Sequence, residues 1–156
     1  MSTWFYQSKS QQTEFAQEIL KCTSDGITFN ENEARQRSPV FWNMPAIPNG
    51  KLEIFAGIND GWQGGVPICH SIRFFNKVAA HYGYSKCCVS TLDIIKLLSR
   101  GIEGPGHYKK MQGRLVLYEK KTPLVSLTIF DGCHEMLSKY CFERLKEIAE
   151  GGYTEK

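Results

Sequence analysis

The stretch VSTLDIIKLLSRGIEGPGHYKKMQGRLVLYEKKTPLVSLTIF, residues 89–130, decides the predicted fold. Ser90 and Asp93 are spaced as in a capping box, which indicates the start of an amphipathic helix. After a glycine-rich break, apolar residues at helical spacing predict a short basic helix over 106–115, although Gly113 weakens its end. LVLYE and PLVSLTIF are predicted strands, and the KKT between them indicates a tight basic hairpin loop. The order is therefore helix, turn, basic helix, strand, loop, strand.

The residues on either side add further elements. KLEIFAGI, residues 51–58, alternates like a strand, and residues 70–83 have the apolar face and terminal glycine of a helix. A short β-like run covers residues 86–89. Residues 10–23 predict an N-terminal helix, and residues 134–150 predict a C-terminal amphipathic helix.

Together these elements predict an α+β fold. At 156 residues the chain is long enough for one domain with a real core and too short for two ordinary ones. We expect residues 1–60 to hold the N-terminal helix, an extended proline-rich segment and a strand. Residues 66–130 form the predicted winged-helix-like part, followed by the helix of residues 134–150. The single domain is predicted to span residues 1–156.

The charge of the chain is concentrated in its middle third. Residues 73–121 hold ten Lys and Arg against three Asp and Glu, a net charge of +7. Residues 1–72 and 122–156 each carry a net charge of −2, so the whole chain has +3. A basic region between mildly acidic flanks favours an anionic partner for that region.

Composition narrows the class of protein. No run of about 18 apolar residues predicts a membrane span, and the first residues lack the pattern of a signal peptide, so we expect a cytoplasmic protein. The six cysteines include no C-x-x-C pair and the adjacent Cys87–Cys88 suits neither zinc nor ordinary bridging. Buried free cysteines are therefore expected, with no metal and no cofactor.

The predicted helix–helix–hairpin order suits double-stranded DNA. A major groove admits one helix, whose exposed face must supply phosphate contacts and base-edge donors. Lysines in a hairpin loop can contact the phosphate backbone, where counterion release favours binding of any sequence. The predicted contact residues are His107, Lys109, Lys110, Gln112 and Arg114 on the helix, and Lys120 and Lys121 in the loop at 119–122.

This segment resembles the winged-helix segment of plasmid-type replication initiator proteins over residues 66–130. There a Ser-Thr-capped helix with D-[IL]-[IL] precedes a leucine, a glycine-rich turn and a recognition helix with Tyr-Lys. The lead-in GGVPICHSIRFF is similar as well. The resemblance implies DNA binding more than initiation, because initiators usually carry two such modules and this chain has room for one. The matching positions are Ser90, Thr91, Asp93, Ile94, Ile95, Leu98, Gly104, Tyr108, Lys109 and Leu115, of which Ser90 and Thr91 join the predicted DNA contacts.

Two other classes of function stay open. The basic region can be a solvated surface of an accessory or inhibitor protein that acts through a protein partner or a homodimer. The aromatic run of Trp4, Phe5 and Tyr6 suits an interface or docking on the core. Alternatively, the loop Arg100–Gly106 distantly resembles the pyrophosphate loop of acyltransferases. Against that reading, the residues before the loop are capped like a helix rather than a strand.

Two Cys-His pairs give a last alternative. Cys69–His70 and Cys133–His134 are each adjacent in sequence, so the side chains within a pair diverge. Only folding can bring a thiol of one pair to an imidazole of the other, for catalysis or for zinc.

The DNA-binding hypothesis also has a geometric requirement. The five basic residues Lys109, Lys110, Arg114, Lys120 and Lys121 must share one exposed face.

Overall fold

A four-stranded sheet organises the chain in the computed structural model, which describes residues 2–46, 48, 50–62, 65–101 and 109–150. The strand order is β1-β4-β3-β2, with β1 parallel to β4 and the other neighbours antiparallel. The predicted α+β class is confirmed. The strands are β1 (Leu52–Gly57), β2 (Lys110–Met111), β3 (Arg114–Lys121) and β4 (Val125–Phe130).

Strand β4 is buried along its whole length because both faces of the sheet are covered. On one face Val125, Leu127 and Ile129 pack into the main core, against helix α4 (Ile68–His81). On the other face Phe130 joins a smaller core with Met111, Val116 and Leu137. A strand with two covered faces reads as a nearly continuous apolar run, as PLVSLTIF does.

Helix α4 confirms the prediction for residues 70–83, two residues longer at its start. Ile68, Ile72, Phe75 and Ala79 recur every three or four residues and form its buried face. The helix follows Pro67, whose fixed φ suits the entry to a helix. It follows β1 along the chain and packs against both β1 and β4.

Helix α5 (Thr91–Leu98) confirms the predicted cap. The Ser90 hydroxyl oxygen accepts a hydrogen bond from the Asp93 backbone N–H at 3.1 Å. The sequence allowed two inward faces for this helix. Leu97 is buried and Ile94 packs against the main core, whereas the other apolar face points outward. The exposed residues of that face are Leu92, Ile95 and Leu98.

The N-terminal region forms three short helices, of which the second lies within the helix predicted over residues 10–23 and the third confirms a polar turn of helix predicted over residues 30–37. They are α1 (Ser2–Ser10), α2 (Phe15–Thr23) and α3 (Glu31–Gln36). Phe5 stacks on Phe29 with ring centroids 4.0 Å apart, and both pack with Ile19 and Leu20. The aromatic run at the N-terminus thus docks on the chain itself. In the predicted proline-rich connection, Pro39–Phe41 forms a 3-10 helix.

Two predictions about the middle of the chain are wrong. The β-like run at 86–89 contains no strand, and its first two residues belong to a 3-10 helix, Ser85–Cys87. The basic helix over 106–115 is a β-hairpin in its described part, because β2 pairs with β3 across Gln112 and Gly113. These two residues have φ angles of +49° and +82°, as a tight two-residue hairpin turn requires. A winged-helix recognition helix over 109–115 is therefore excluded, and residues 102–108 lie outside the described residues.

The C-terminal helix α6 (Ser138–Ala149) begins four residues later than predicted and none of its residues is fully buried. Arg144 attaches it to the sheet by donating from Nε and Nη2 to Glu53 Oε1, both at 3.1 Å. Phe142 and Leu145 lie on its exposed side. Among the described residues, no helix is both long and apolar enough to cross a membrane.

Backbone segments pack very closely against each other where the parallel strands β1 and β4 end. The loop after β4 crosses the end of β1, and the Asn59 N–H donates to the Gly132 carbonyl oxygen at 2.9 Å. A methyl group on Gly57 would lie 2.2 Å from the Cys133 carbonyl oxygen, and one on Gly132 would lie 2.4 Å from the Phe130 ring. Glycine at both positions permits this crossing.

We expect Gly57→Ala to reduce the free energy of unfolding by about 2 kcal/mol or more, because the added methyl group collides with backbone atoms. Urea denaturation followed by circular dichroism measures the change. Gly50→Ala is the matched control, since a methyl group there meets nothing within 4 Å. Equal stability of the two variants would contradict the close crossing.

Candidate nucleic-acid interface

The basic residues predicted to contact DNA lie on one edge of the sheet. Because β2 has only two residues, no described strand pairs with β3 beyond Leu115, which leaves an open edge of six residues, about 20 Å long. Arg114 begins β3 and Lys121 ends it. Lys109 and Lys110 lie at the start of the hairpin, beside the Arg114 end.

The pleat of β3 divides these cations between the two faces of the sheet. Lys121 is in register with Ser126, on the same face as α6, and Met111, in register with Arg114, is buried in the core of that face. Lys120 is in register with Leu127 and so lies on the α4 face. Lys110 faces the same way. The expectation that all five cations share one face is therefore not met, and only their common edge unites them.

Three of the five cations have carboxylate partners. Lys109 and Lys121 both bind Glu119, at 2.8 and 3.1 Å, and Arg114 binds Glu135 at 2.9 Å. Burial raises the pKa of Glu119, but the hydrogen bonds from the two lysines outweigh it and hold the pKa below its ordinary value. Glu119 is thus ionised at neutral pH and offsets their charge. Lys110 and Lys120 form no ion pair with any described residue.

The other predicted contact residues have local structural roles. Ser90 caps α5, and Thr91 is exposed in its first turn. The Tyr118 hydroxyl donates to Asp93 Oδ2 at 3.2 Å, which ties that turn to β3 two residues before Lys120. Gln112 accepts a hydrogen bond from the Tyr140 backbone N–H at 3.2 Å. His107 lies outside the described residues.

Burial and the adjacent Asp93 carboxylate raise the pKa of the Tyr118 hydroxyl to about 12. The hydroxyl therefore keeps its proton throughout the physiological range and remains a donor. The contact between α5 and the edge strand is thus insensitive to pH near neutrality. It brings Ser90, Thr91 and Lys120 to the same end of the sheet.

A polar cleft of about 470 Å³ lies between α6 and the sheet, beside this edge. Sequence reasoning missed it because Glu53 and Arg144, which bound it, are 91 residues apart. The cations and carboxylates of its lining are equal in number, so the cleft offers an anion no net attraction. The charged lining residues are Lys51, Lys109, Lys121, Arg144, Glu53, Glu119, Glu143 and Glu147.

The loops at the carboxyl ends of β1 and β4 form a second polar cluster. His134 Nδ1 lies 2.7 Å from Asp60 Oδ2, and Asp60 Oδ1 accepts a hydrogen bond from the Val66 N–H at 3.1 Å. Asp60 is buried, whereas most of the His134 side chain is exposed. The sequence signal that pointed to Asp60 was its place in the turn NDG. This turn directly follows a predicted strand, and the ends of parallel strands meet at the same edge of a sheet.

The structure gives little support to a Cys-His catalytic pair or to a zinc site built from Cys69, His70, Cys133 and His134. Burial raises the pKa of the Cys69 thiol, which disfavours the thiolate needed by a nucleophile. In the part of the chain that is described, no three His, Cys, Asp or Glu side chains are arranged to hold a metal ion. The acyltransferase reading depends on a loop mostly outside the described residues, and the element before that loop is helix α5.

Comparisons with known proteins identify no relative. No protein-family model, curated protein or solved structure matches the chain significantly.

His70, in the first turn of α4, predicts a pH dependence of stability. Its Nε2 is buried with no hydrogen-bond partner among the described residues, and burial, with Arg73 nearby, lowers its pKa below 6.5. The unfolded chain therefore binds this proton more tightly than the folded protein. The stabilisation is complete above pH 6.5 and is lost as the pH falls toward the lower folded pKa.

We expect His70→Gln to flatten the fall in unfolding free energy between pH 7 and pH 5, measured by urea denaturation at each pH. His81→Gln, at an exposed position on the last turn of the same helix, serves as the control. An unchanged slope in the His70 variant would contradict this assignment.

Proposed function

We propose that the chain binds double-stranded DNA through the β2–β3 edge of the sheet, in a regulatory or initiator-like role in the cytoplasm of a plasmid or phage host. The proposal replaces the predicted recognition helix by a strand edge. Lysine side chains from either face of the sheet can extend past its edge strand, because their aliphatic stems are long. Contacts to phosphates need no single face, whereas base readout does.

The observation that carries the proposal is the placement of charge. The segment with net charge +7 includes β2, β3 and α5, and two of its lysines that form no ion pair with a described residue, Lys110 and Lys120, lie on this edge. Lys110 pairs with Leu115, so five residues of β3 separate the two lysines, a distance of about 16 Å. That distance spans about five base pairs along the duplex axis.

A second reading of the same lysines concerns the fold alone. Lysines on an open edge strand prevent pairing with the edge of another molecule. The two readings differ in what the lysines do for affinity. Only the DNA-binding proposal predicts a salt-dependent contribution to binding of a duplex.

We expect the double variant Lys110→Ala and Lys120→Ala to weaken duplex binding and to lower the slope of log K against log salt by about 2, because two phosphate contacts are lost. Fluorescence anisotropy with a random-sequence duplex at several salt concentrations measures both. Lys9→Ala with Lys139→Ala removes the same charge from exposed positions on α1 and α6. If both double variants lose affinity equally, the edge is not the contact surface.

We also expect Glu119→Gln to strengthen duplex binding several-fold, because it frees Lys109 and Lys121 from a carboxylate at the same edge. The matched variant Glu18→Gln removes the partner of Lys21 on helix α2, away from the edge. A loss of affinity in the Glu119 variant would overturn this arrangement.

Absence of duplex binding by the unmodified chain at low salt would overturn the proposal altogether. The alternative would then be an accessory protein that acts through a protein partner or a homodimer. Analytical ultracentrifugation of the same preparation separates those two cases, since only the second changes the mass of the isolated protein.

A further inference from the structure

Trp62 is an exposed tryptophan on a hydrogen-bonded turn. Trp62 is 69% exposed, and its backbone N–H donates a hydrogen bond to the Asn59 carbonyl oxygen at 3.0 Å. Gly61, just before it, has φ +86°, and a methyl group there would lie 2.6 Å from Pro67 Cα. Asp60 closes the loop through its bonds to Val66 and His134. These contacts fix the backbone of the turn that carries the indole.

Arg100 reaches the same place from the end of α5. Its guanidinium carbon lies 5.6 Å from the centroid of the Trp62 ring, within the range of a cation–π contact. Arg100 has φ +57°, a left-handed conformation that favours glycine. The following residue, Gly101, donates its N–H to the Lys96 carbonyl oxygen at 2.9 Å and completes the helix end. An arginine therefore occupies a backbone position that its side chain does not favour, beside an exposed indole.

A cleft of about 250 Å³ adjoins the indole. Its apolar lining comes from Pro67, Ile68 and Leu98, and its polar lining includes Gln7 on α1 and Gln11 directly after that helix. Gln7 donates weakly to the Gly61 carbonyl oxygen at 3.5 Å. Planar amides both donate and accept hydrogen bonds, as the edge of a nucleobase does.

We propose that Trp62, Arg100 and this cleft bind an unpaired nucleobase of a single-stranded nucleic acid. The base stacks on the exposed indole, the guanidinium contacts the adjoining phosphate, and the glutamine amides meet the base edge. Stacking on an aromatic side chain together with a cation is the usual basis of sequence-tolerant single-strand binding. The site lies at the carboxyl ends of β1 and β4 and shares no residue with the duplex-binding edge.

The test uses fluorescently labelled eight-nucleotide oligo-dT and oligo-U, with anisotropy as the readout. We expect Trp62→Ala to weaken binding of either oligonucleotide by about fivefold to a hundredfold, the loss expected for one stacked base. The two oligonucleotides distinguish DNA from RNA as the preferred ligand. Arg100→Ala should weaken binding and also reduce its salt dependence.

The chain contains a matched control cluster. Trp42 is also exposed, at 53%, and beside it the Arg35 guanidinium carbon lies 4.3 Å from the Phe41 ring centroid. Trp42→Ala and Arg35→Ala should leave single-strand affinity unchanged. Equal losses for the Trp62 and Trp42 variants would overturn the proposal, and thermal denaturation confirms that each variant is folded.

An abasic oligonucleotide of the same length separates base stacking from phosphate binding. We expect it to bind the unmodified chain more weakly than oligo-dT and to be unaffected by Trp62→Ala. Duplex affinity should also be unaffected by Trp62→Ala, whereas the double lysine variant should lose it, so failure of either proposal can be told from failure of the other. No binding of any single strand by the unmodified chain would overturn the site.

Discussion

The parallel pairing of β1 with β4 is the constraint on which the rest of the structure depends. It places β4 at the centre of the sheet with cores on both faces, so every residue of the strand is buried. It also requires a long connection between the two strands, and that connection contains α4, α5 and the basic hairpin. The basic segment is therefore a crossover within one sheet rather than a separate module.

The same pairing creates two surfaces with different chemistry. At the open edge, β3 holds cations whose charge Glu119 partly offsets. At the carboxyl ends of the parallel strands, Gly57 and Gly132 permit two loops to cross closely, and the exposed Trp62 indole lies beside the Arg100 guanidinium. The first surface suits phosphates and the second suits a flat base. A protein that uses both would contact duplex and unpaired nucleic acid at separate places on one sheet.

Electrostatics in this chain depends on ion pairs more than on net charge. A segment with net charge +7 predicts a strong anion site, yet the cleft beside it has a balanced lining. Each lysine bound to a carboxylate contributes little to attraction at a distance, because the pair is nearly neutral beyond a Debye length. For this reason Lys110 and Lys120, the two lysines of the edge that form no ion pair with a described residue, are more informative about binding than the total charge.

Local patterns in the sequence determined the α+β class, strands β1, β3 and β4, the buried stripe of α4 and the Ser90 cap. Each of these depends on residues within one or two turns of each other, which a single sequence displays directly. The tertiary structure decided the hairpin at 110–115, because helical spacing of Tyr108, Met111 and Leu115 fitted a helix until Gln112 and Gly113 adopted positive φ angles.

The tertiary structure also decided which face of α5 is buried, which lysines Glu119 neutralises, and that Asp60 meets His134 and Arg100 meets Trp62. Apart from the contact of Lys121 with Glu119, which are two positions apart, these contacts join residues 10 to 74 positions apart in sequence. Strand register and the crossing of loops determine which of these residues come into contact. A single sequence shows neither the register nor the loop crossing, because both form only when the sheet packs against its core.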